Sequence, residues 1–473
     1  MMQREQPALI QAGMGVHISS ARLANATARL GAMGVVSGAG LRHIVVEDIR
    51  AGDPDALRLA RAFPFPRYVE ELLAYAPGGS RHNKPVPMDT PDPARAALPR
   101  RLSVIGAYVE VMRAKEGHRG MVGVNVMWKC ALTVLPTIYG AMLAGADALL
   151  CGAGVPMELA DIVERLRRGE YLEYESLTGT GTRVRLDVAE DAPASLMQRM
   201  PPPTLIPILS NYPFCRRLTD NWQQRHGVRP GAFVLENHQA GGHNAPPRDK
   251  SSFGAQDDLD SYFEKVLSLG VPVYVAGAFP HGGSRDDLLM WQARGACGIQ
   301  VGSRFALCAE SGMRADLREQ VIAQIRAGTL AVSTDLRLSP TGYPFKVASL
   351  PGTLSDPELR VQRTRLCNLG YLLQSHFETG EDGVVRETYL CPAMPAAQYA
   401  RRGGDPAQTE GRICLCNALL STAGYGPPDE LPLITLGLSG VQVDRLWSAR
   451  EVVEDILTPD YVARRERELR LPA

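Results

Sequence analysis

The chain has 473 residues, well beyond the ~250 that an eight-stranded α/β barrel needs, so one large domain with an appended region is expected. Hydrophobic residues at 45% and charged residues at 22% are ordinary globular values, and 51 Lys plus Arg balance 51 Asp plus Glu, which excludes a global field that would draw nucleic acid or an anionic membrane. No apolar run reaches membrane-spanning length, Met1 to Gln6 is polar, and nine cysteines are an odd, scattered set, so a reduced, soluble, cytoplasmic protein acting on small molecules is expected.

In chain order, Ala8 to Ala12 is a short apolar strand that ends in Gly13-Met14-Gly15, and Ser19-Ser20 opens a helix carrying Leu23, Ala24, Thr27 and Leu30. Gly34 to Ser37 is the next strand. Residues 38–100 break the rhythm with Pro54, Phe63-Pro64-Phe65-Pro66, Pro77-Gly78-Gly79 and a Pro-rich run from Pro85 to Pro99; they are expected to form long loops, a lid or a surface excursion. Leu102–Ala114 then reads as a helix, Met121–Val126 as a strand, Leu132–Leu143 as a helix, Asp147–Cys151 as a strand and Met157–Arg167 as a helix. Tyr171–Val188 alternates charged and apolar residues around Gly179-Thr180-Gly181, the pattern of an inserted hairpin. Strands follow at Leu205–Leu209, Ala232–Glu236, Val273–Ala276 and Gly298–Val301, with a helix over Leu259–Leu269.

Eight strand–helix alternations in about 310 residues predict a TIM (β/α)₈ barrel over residues 1–313. A doubly wound open sheet is the rival, but no G-x-G-x-x-G follows the first strand. From Met313 the pattern changes to short helices between Pro- and Gly-rich turns. Residues 314–473 are therefore expected to wrap the barrel and not to form an independent domain.

The chemistry concentrates in Phe233 to Asp249, F-V-L-E-N-H-Q-A-G-G-H-N-A-P-P-R-D, where a buried strand gives way to two histidines and a Gly-Gly pair. Gly241 and Gly242 let the backbone lie against a flat or anionic ligand, and His243 is the residue type that exchanges a proton near neutral pH. The last two strands end in Ala276-Gly277-Ala278 and Gly302-Ser303. Gly277, Gly302 and Ser303 fit the barrel-mouth loops that offer backbone N–H groups to a phosphate, although small residues also pack closely at barrel rims. Together with Gly-Gly-His they point to a phosphate-bearing cofactor across the barrel mouth.

The set Ile10-Gln11-Ala12-Gly13-Met14-Gly15, Gly123-Val124-Asn125, Ala240-Gly241-Gly242-His243 and Gly298-Ile299-Gln300-Val301-Gly302-Ser303-Arg304-Phe305 resembles the nitronate monooxygenase family, the 2-nitropropane dioxygenase-like flavoproteins. It is especially similar to a long-chain subgroup with G-G-H-N-A-P-P-R, and Ser339 to Lys346 and Cys414-Leu415-Cys416-Asn417 extend the likeness. The resemblance implies an FMN-binding barrel whose cofactor contacts are Gly13, Met14, Asn125, Gly242, Gly277, Ala278, Gly302 and Ser303, with His243 as the catalytic residue at the flavin. It further implies oxidation of an alkyl nitronate or similar carbanion with O₂; the alternative is an FMN- and NAD(P)H-dependent enoyl-thioester reductase. The expected partners are the small substrate and O₂, with a homodimer as the assembly considered, and neither nucleic acid nor membrane.

The chain departs from the subgroup at Asn237-His238-Gln239, at Trp128-Lys129 and at His17. His238, Trp128 and Lys129 are accordingly the expected substrate-specificity positions, with packing at the rim as the alternative for Trp128 and solvation for Lys129. Cys367, Cys391, Cys414 and Cys416 have only one close-spaced pair, Cys414 and Cys416, so buried thiols are expected and not a zinc site. His118 precedes the third strand, on the face opposite to catalysis, and is expected to be structural.

Overall fold

A computed structural model describes residues 6–79, 85–175, 177, 181–188, 196, 200–249, 252–380, 382–437 and 443–471. Among the described residues of the first 301 there are ten strands: β1 Leu9–Gln11, β2 Gly34–Ser37, β3 Val122–Met127, β4 Ala148–Gly152, β5 Leu172–Tyr174, β6 Val184–Leu186, β7 Thr204–Leu209, β8 Phe233–Glu236, β9 Val273–Ala276 and β10 Gly298–Val301. Eight of them form one parallel sheet in the order β1-β10-β9-β8-β7-β4-β3-β2. The ends of that sheet meet: Gln11 N–H donates to the Met33 carbonyl at 3.0 Å and Met33 N–H to the Leu9 carbonyl at 2.9 Å, with a parallel bridge between Ile10 and Met33. The sheet is thus a closed (β/α)₈ barrel.

Why these segments are strands is visible in what they bury. Ile10, Val35, Leu150, Ile206, Val234, Tyr274 and Ala276 pack together as the barrel interior. Their neighbours along the strands, such as Leu9, Val124, Phe233 and Val275, belong to the large outer core shared with the helices, as the period of two requires. The first helix, Ala21–Ala28, starts where Ser20 Oγ accepts the Leu23 N–H at 3.4 Å. Its buried face of Leu23, Ala24 and Thr27 lies against the sheet.

Residues 38–100 differ from the expected loops. They contain helices Leu41–Ala51, Pro54–Arg61 and Pro66–Tyr75 and the first third of a 23-residue helix, Pro93–Lys115, with Pro99 inside it. Pro54 and Pro66 stand in the first turns of their helices, where a missing N–H costs no hydrogen bond and a fixed φ favours initiation. Asp53 completes one start by accepting the Ala56 N–H at 2.8 Å. The inserted hairpin is present as antiparallel β5 and β6; Gly179 and Thr180 at its turn lie outside the described residues. The helix expected over Leu259–Leu269 is a 3₁₀ turn, Leu259–Ser261, followed by Phe263–Leu267.

Residues 314–473 hold more than short helices. They include a 12-residue helix, Ala315–Arg326, two antiparallel hairpins, β11 Val332–Asp335 with β12 Phe345–Ala348 and β13 Gln374–Thr379 with β14 Val385–Leu390, and a terminal helix pair, Ala449–Leu457 and Pro459–Leu469. Leu338, Phe345, Leu390, Leu433 and Val453 share one buried cluster with the barrel residues Val124, Phe233 and Val275. Among the described residues, no helix is long and apolar enough to cross a membrane.

Candidate active site

The loops after the barrel strands enclose a cavity of about 230 Å³ that opens to solvent. Strand β1 delivers Gly13 and Met14, β3 delivers Asn125, β8 delivers Glu236 and the Ala240–His243 loop, β9 delivers Gly277, and β10 delivers Gln300, Gly302 and Ser303. Phe345, Leu419 and Thr435 to Gly437 close it from the C-terminal region. The parallel sheet explains the convergence, since every strand points its C-terminal end to the same side.

Backbone conformation shapes the wall. Gly242 has φ +83° and nothing within 4 Å of the place a Cβ would take, so open space faces it. Gly277 also has φ +83°, and its Cβ would stand 2.6 Å from the Ala240 nitrogen, so only glycine lets the β8 and β9 loops touch. Asn125 Nδ2 donates to the Gly13 carbonyl at 2.7 Å and Met14 N–H to Ser19 Oγ at 2.9 Å, which fixes the β1 loop. Gly242 N–H donates to Thr435 Oγ1 at 2.7 Å, and Gly437 N–H to Ser303 Oγ at 2.8 Å.

His243 lies between the cavity and the C-terminal region. Its Nε2 is 2.8 Å from Ser339 Oγ, and its ring meets the Phe345 ring edge-on with centroids 4.9 Å apart. Burial first, and the positive charge of Lys129 second, push its pKa down to about 4, so the ring is neutral at physiological pH. Glu236, at the end of β8, moves the other way: burial pushes its carboxyl up to about 8. A neutral imidazole and a protonated carboxyl therefore share one cavity.

The structure does not bring all the expected residues to that wall. Gly13, Met14, Asn125, Gly242, Gly277, Gly302, Ser303 and His243 line the cavity, whereas Ala278, His238, Trp128 and Lys129 do not. Ala278 turns outward, its carbonyl accepting the Trp291 indole N–H at 2.9 Å. His238 stacks on Phe253 at 4.6 Å, Trp128 is buried with its indole N–H on the Leu177 carbonyl at 3.1 Å, and the Lys129 ammonium stands 4.9 Å from the Tyr343 ring centroid. The helix after Gly302 is a single turn, Ser303–Ala306. His118 is buried at the opposite end, its Nδ1 accepting the Gly120 N–H at 3.0 Å. Cys391, Cys414 and Cys416 are buried and Cys367 is half-buried; among the described residues no group of three or more His, Cys, Asp or Glu side chains is arranged to hold a metal ion.

Sequence reasoning missed Glu236, Gln300, Phe345 and Thr435. The first two sit at strand C-termini, which is itself the signal that marks barrel-mouth residues. Gln300 is 6% exposed, and its Oε1 has no hydrogen-bond partner among the described residues. An unpaired buried carbonyl is costly, and a ligand that donates a hydrogen bond from within the cavity removes the cost.

No family model matches the chain, and no curated protein matches it. Solved structures do. FabK from Thermotoga maritima is similar at 14% identity over 98% of this chain and 94% of that one, with a TM-score of 0.48. Nitroalkane oxidase from Streptomyces ansochromogenes is similar at 14% identity over 98% and 97%, with a TM-score of 0.47. The enoyl reductase domain of MlnA from the macrolactin biosynthesis cluster of Bacillus amyloliquefaciens is similar at 12% identity over 98% and 95%, with a TM-score of 0.43. Assignment of the barrel rests on its own strand register and closure.

Proposed function

We propose that the protein is an FMN-dependent oxidoreductase that oxidises an alkyl nitronate or a similar stabilised carbanion. The observation that carries the reading is the meeting of His243 with the unpaired Gln300 Oε1 and the Gly242 opening in one barrel-mouth cavity. These groups suit a flavin: Gln300 Oε1 would accept from a ring N–H, Gly242 would admit a flat ring system, and the Ser303 hydroxyl, which accepts from Gly437 N–H, would offer its own hydrogen to a phosphate oxygen. FMN, when bound, supplies the two-electron chemistry and the passage of electrons to O₂. The chain's own residues do the rest. His243, neutral and with a free lone pair, takes a proton from substrate or donates a hydrogen bond to its developing charge. Phe345 and Leu436 add apolar surface to the cavity wall.

One observation favours the second reading, reduction of an enoyl thioester with NAD(P)H. Glu236 stays protonated near neutral pH and so can deliver the proton that such a reduction adds to carbon. Mixing the purified protein anaerobically with an alkyl nitronate or with NADPH separates the two. Loss of flavin colour with the nitronate supports the first, loss with NADPH alone supports the second, and loss with neither removes both.

A further inference from the structure

The residue that holds His243 comes from outside the barrel. Ser339 is fully buried, and its Oγ lies 2.8 Å both from His243 Nε2 and from Thr341 Oγ1. Thr341 N–H also points at Ser339 Oγ, at 3.2 Å, and Tyr343 N–H at Thr341 Oγ1, at 3.3 Å. The loop that carries these hydroxyls is pinned on both flanks. Arg412 donates to the Ser339 carbonyl at 2.6 Å, Asp335 accepts the Arg337 and Leu338 N–H groups at 2.9 Å, and Ile413 N–H reaches the Leu338 carbonyl at 3.1 Å. On the far side Asn244 N–H donates to the Pro344 carbonyl and Lys346 N–H to the Gly242 carbonyl, each at 2.9 Å, so β12 is zipped to the Gly-Gly-His loop.

We propose that Ser339, backed by Thr341, is the positioning residue that fixes the tautomer of His243. The inference rests on the reading of His243 as the group that exchanges a proton with substrate. With Nε2 held, Nδ1 is the ring atom left for that exchange, and among the described residues it makes no hydrogen bond. Nδ1 has a lone pair only in the tautomer that carries its hydrogen on Nε2. In that state Nε2–H donates to Ser339 Oγ, Ser339 O–H donates to Thr341 Oγ1, and Ser339 Oγ also receives Thr341 N–H, so the ring N–H and the serine hydroxyl are both paired. When Nδ1 accepts a proton, the ring becomes a cation, the Nε2–H bond to Ser339 strengthens, and no other hydrogen moves. No proton leaves through the hydroxyls. Their task is orientation, as with the partners that fix a histidine's tautomer at other sites.

The test is ¹⁵N NMR of histidine-labelled protein at pH 7, with the His243 signals assigned by their loss in His243→Asn. The wild type is expected to show a neutral ring protonated on Nε2. Ser339→Ala leaves a buried Nε2–H without an acceptor, so the proton should move toward Nδ1, with a change in tautomer ratio of about tenfold for one net hydrogen bond. Ser339→Thr keeps the hydroxyl and should restore the wild-type pattern. An unchanged pattern in Ser339→Ala overturns the proposal, and so does a Ser339→Thr variant as altered as the alanine, since that would mean shape and not the hydroxyl matters. In parallel, flavin reduction by the nitronate of 2-nitropropane should slow about 10- to 100-fold in Ser339→Ala, with FMN affinity unchanged. Normal reduction in His243→Asn would instead sink the catalytic reading, while the NMR result would still judge the tautomer.

Discussion

Thr435 Oγ1 accepts the Gly242 N–H at 2.7 Å, across 193 residues of sequence. A hydroxyl from the C-terminal region thus holds the glycine that opens the cavity. Replacing Thr435 by Val keeps the shape and removes the acceptor, leaving a partly buried N–H unpaired. The expected loss is about 1–3 kcal/mol of folding stability, read by urea unfolding, together with weaker FMN binding. A variant as stable as the wild type would show that water replaces the hydroxyl.

The same packing predicts the behaviour of the C-terminal region alone. Leu338, Phe345 and Leu433 are buried in a cluster shared with the barrel, so a fragment of residues 314–473 loses the surfaces that bury them. It should be insoluble or lack a cooperative thermal transition. A sharp two-state melt of the fragment would contradict this.

Two cavity glycines should respond oppositely to alanine. At Gly277 the left-handed φ and the 2.6 Å approach to the Ala240 nitrogen are both incompatible with a Cβ, and the loss should be about 2–4 kcal/mol. At Gly302 φ is −110° and a Cβ would sit 3.5 Å from Met14 Sδ, an ordinary contact. Gly302→Ala should therefore fold normally, whereas the longer side chain of Gly302→Leu should block FMN. Thermal melts and FMN titration of the three variants check both halves.

The carboxyl of Glu236 sets a pH dependence whose sign is fixed. Its pKa rises from 4.5 to about 8 on folding, so between those values the folded state holds a proton that the unfolded state has lost. Stability relative to Glu236→Gln then falls as pH rises from 4.5 to 8 and is constant outside that window. His243 has the opposite slope: its pKa drops from 6.5 to about 4, so its neutral, buried form loses stability as pH falls through that range. Denaturant midpoints across pH for the wild type and Glu236→Gln test the first statement. A difference that does not change with pH refutes it.

The barrel was legible in the sequence because its strands are short apolar runs followed by Gly-rich turns and helical patterns, and Gly34–Ser37 and Val273–Ala276 are strands to the residue. The helices after Gly38 were not, because Pro54 and Pro66 read as breakers until their place in a first turn is known. The cavity glycines and His243 could be named from local spacing. Ser339 and Thr435 could not, because only tertiary closure brings loops 96 and 193 residues away onto the Gly-Gly-His turn. His238 misleads for the converse reason. It follows the same strand as His243, yet the turn at Asn237 sends its ring to Phe253 and away from the cavity.

That divergence separates the two histidines in activity. His243→Asn should lower turnover by about 100-fold or more with FMN retained. His238→Asn should change kcat/KM by no more than about threefold, since a ring outside the cavity wall alters the barrier by about half a kcal/mol. A dead His238 variant beside a nearly normal His243 variant would reverse the assignment.

The central claim is that the barrel mouth is an FMN site, and the absorption spectrum of the purified protein tests it most directly. The account predicts a yellow protein that releases FMN on denaturation, about one per chain, and that rebinds FMN after stripping, with affinity reduced in Gln300→Leu, where the unpaired carbonyl is gone. A folded, colourless protein that leaves added FMN free in solution would contradict it.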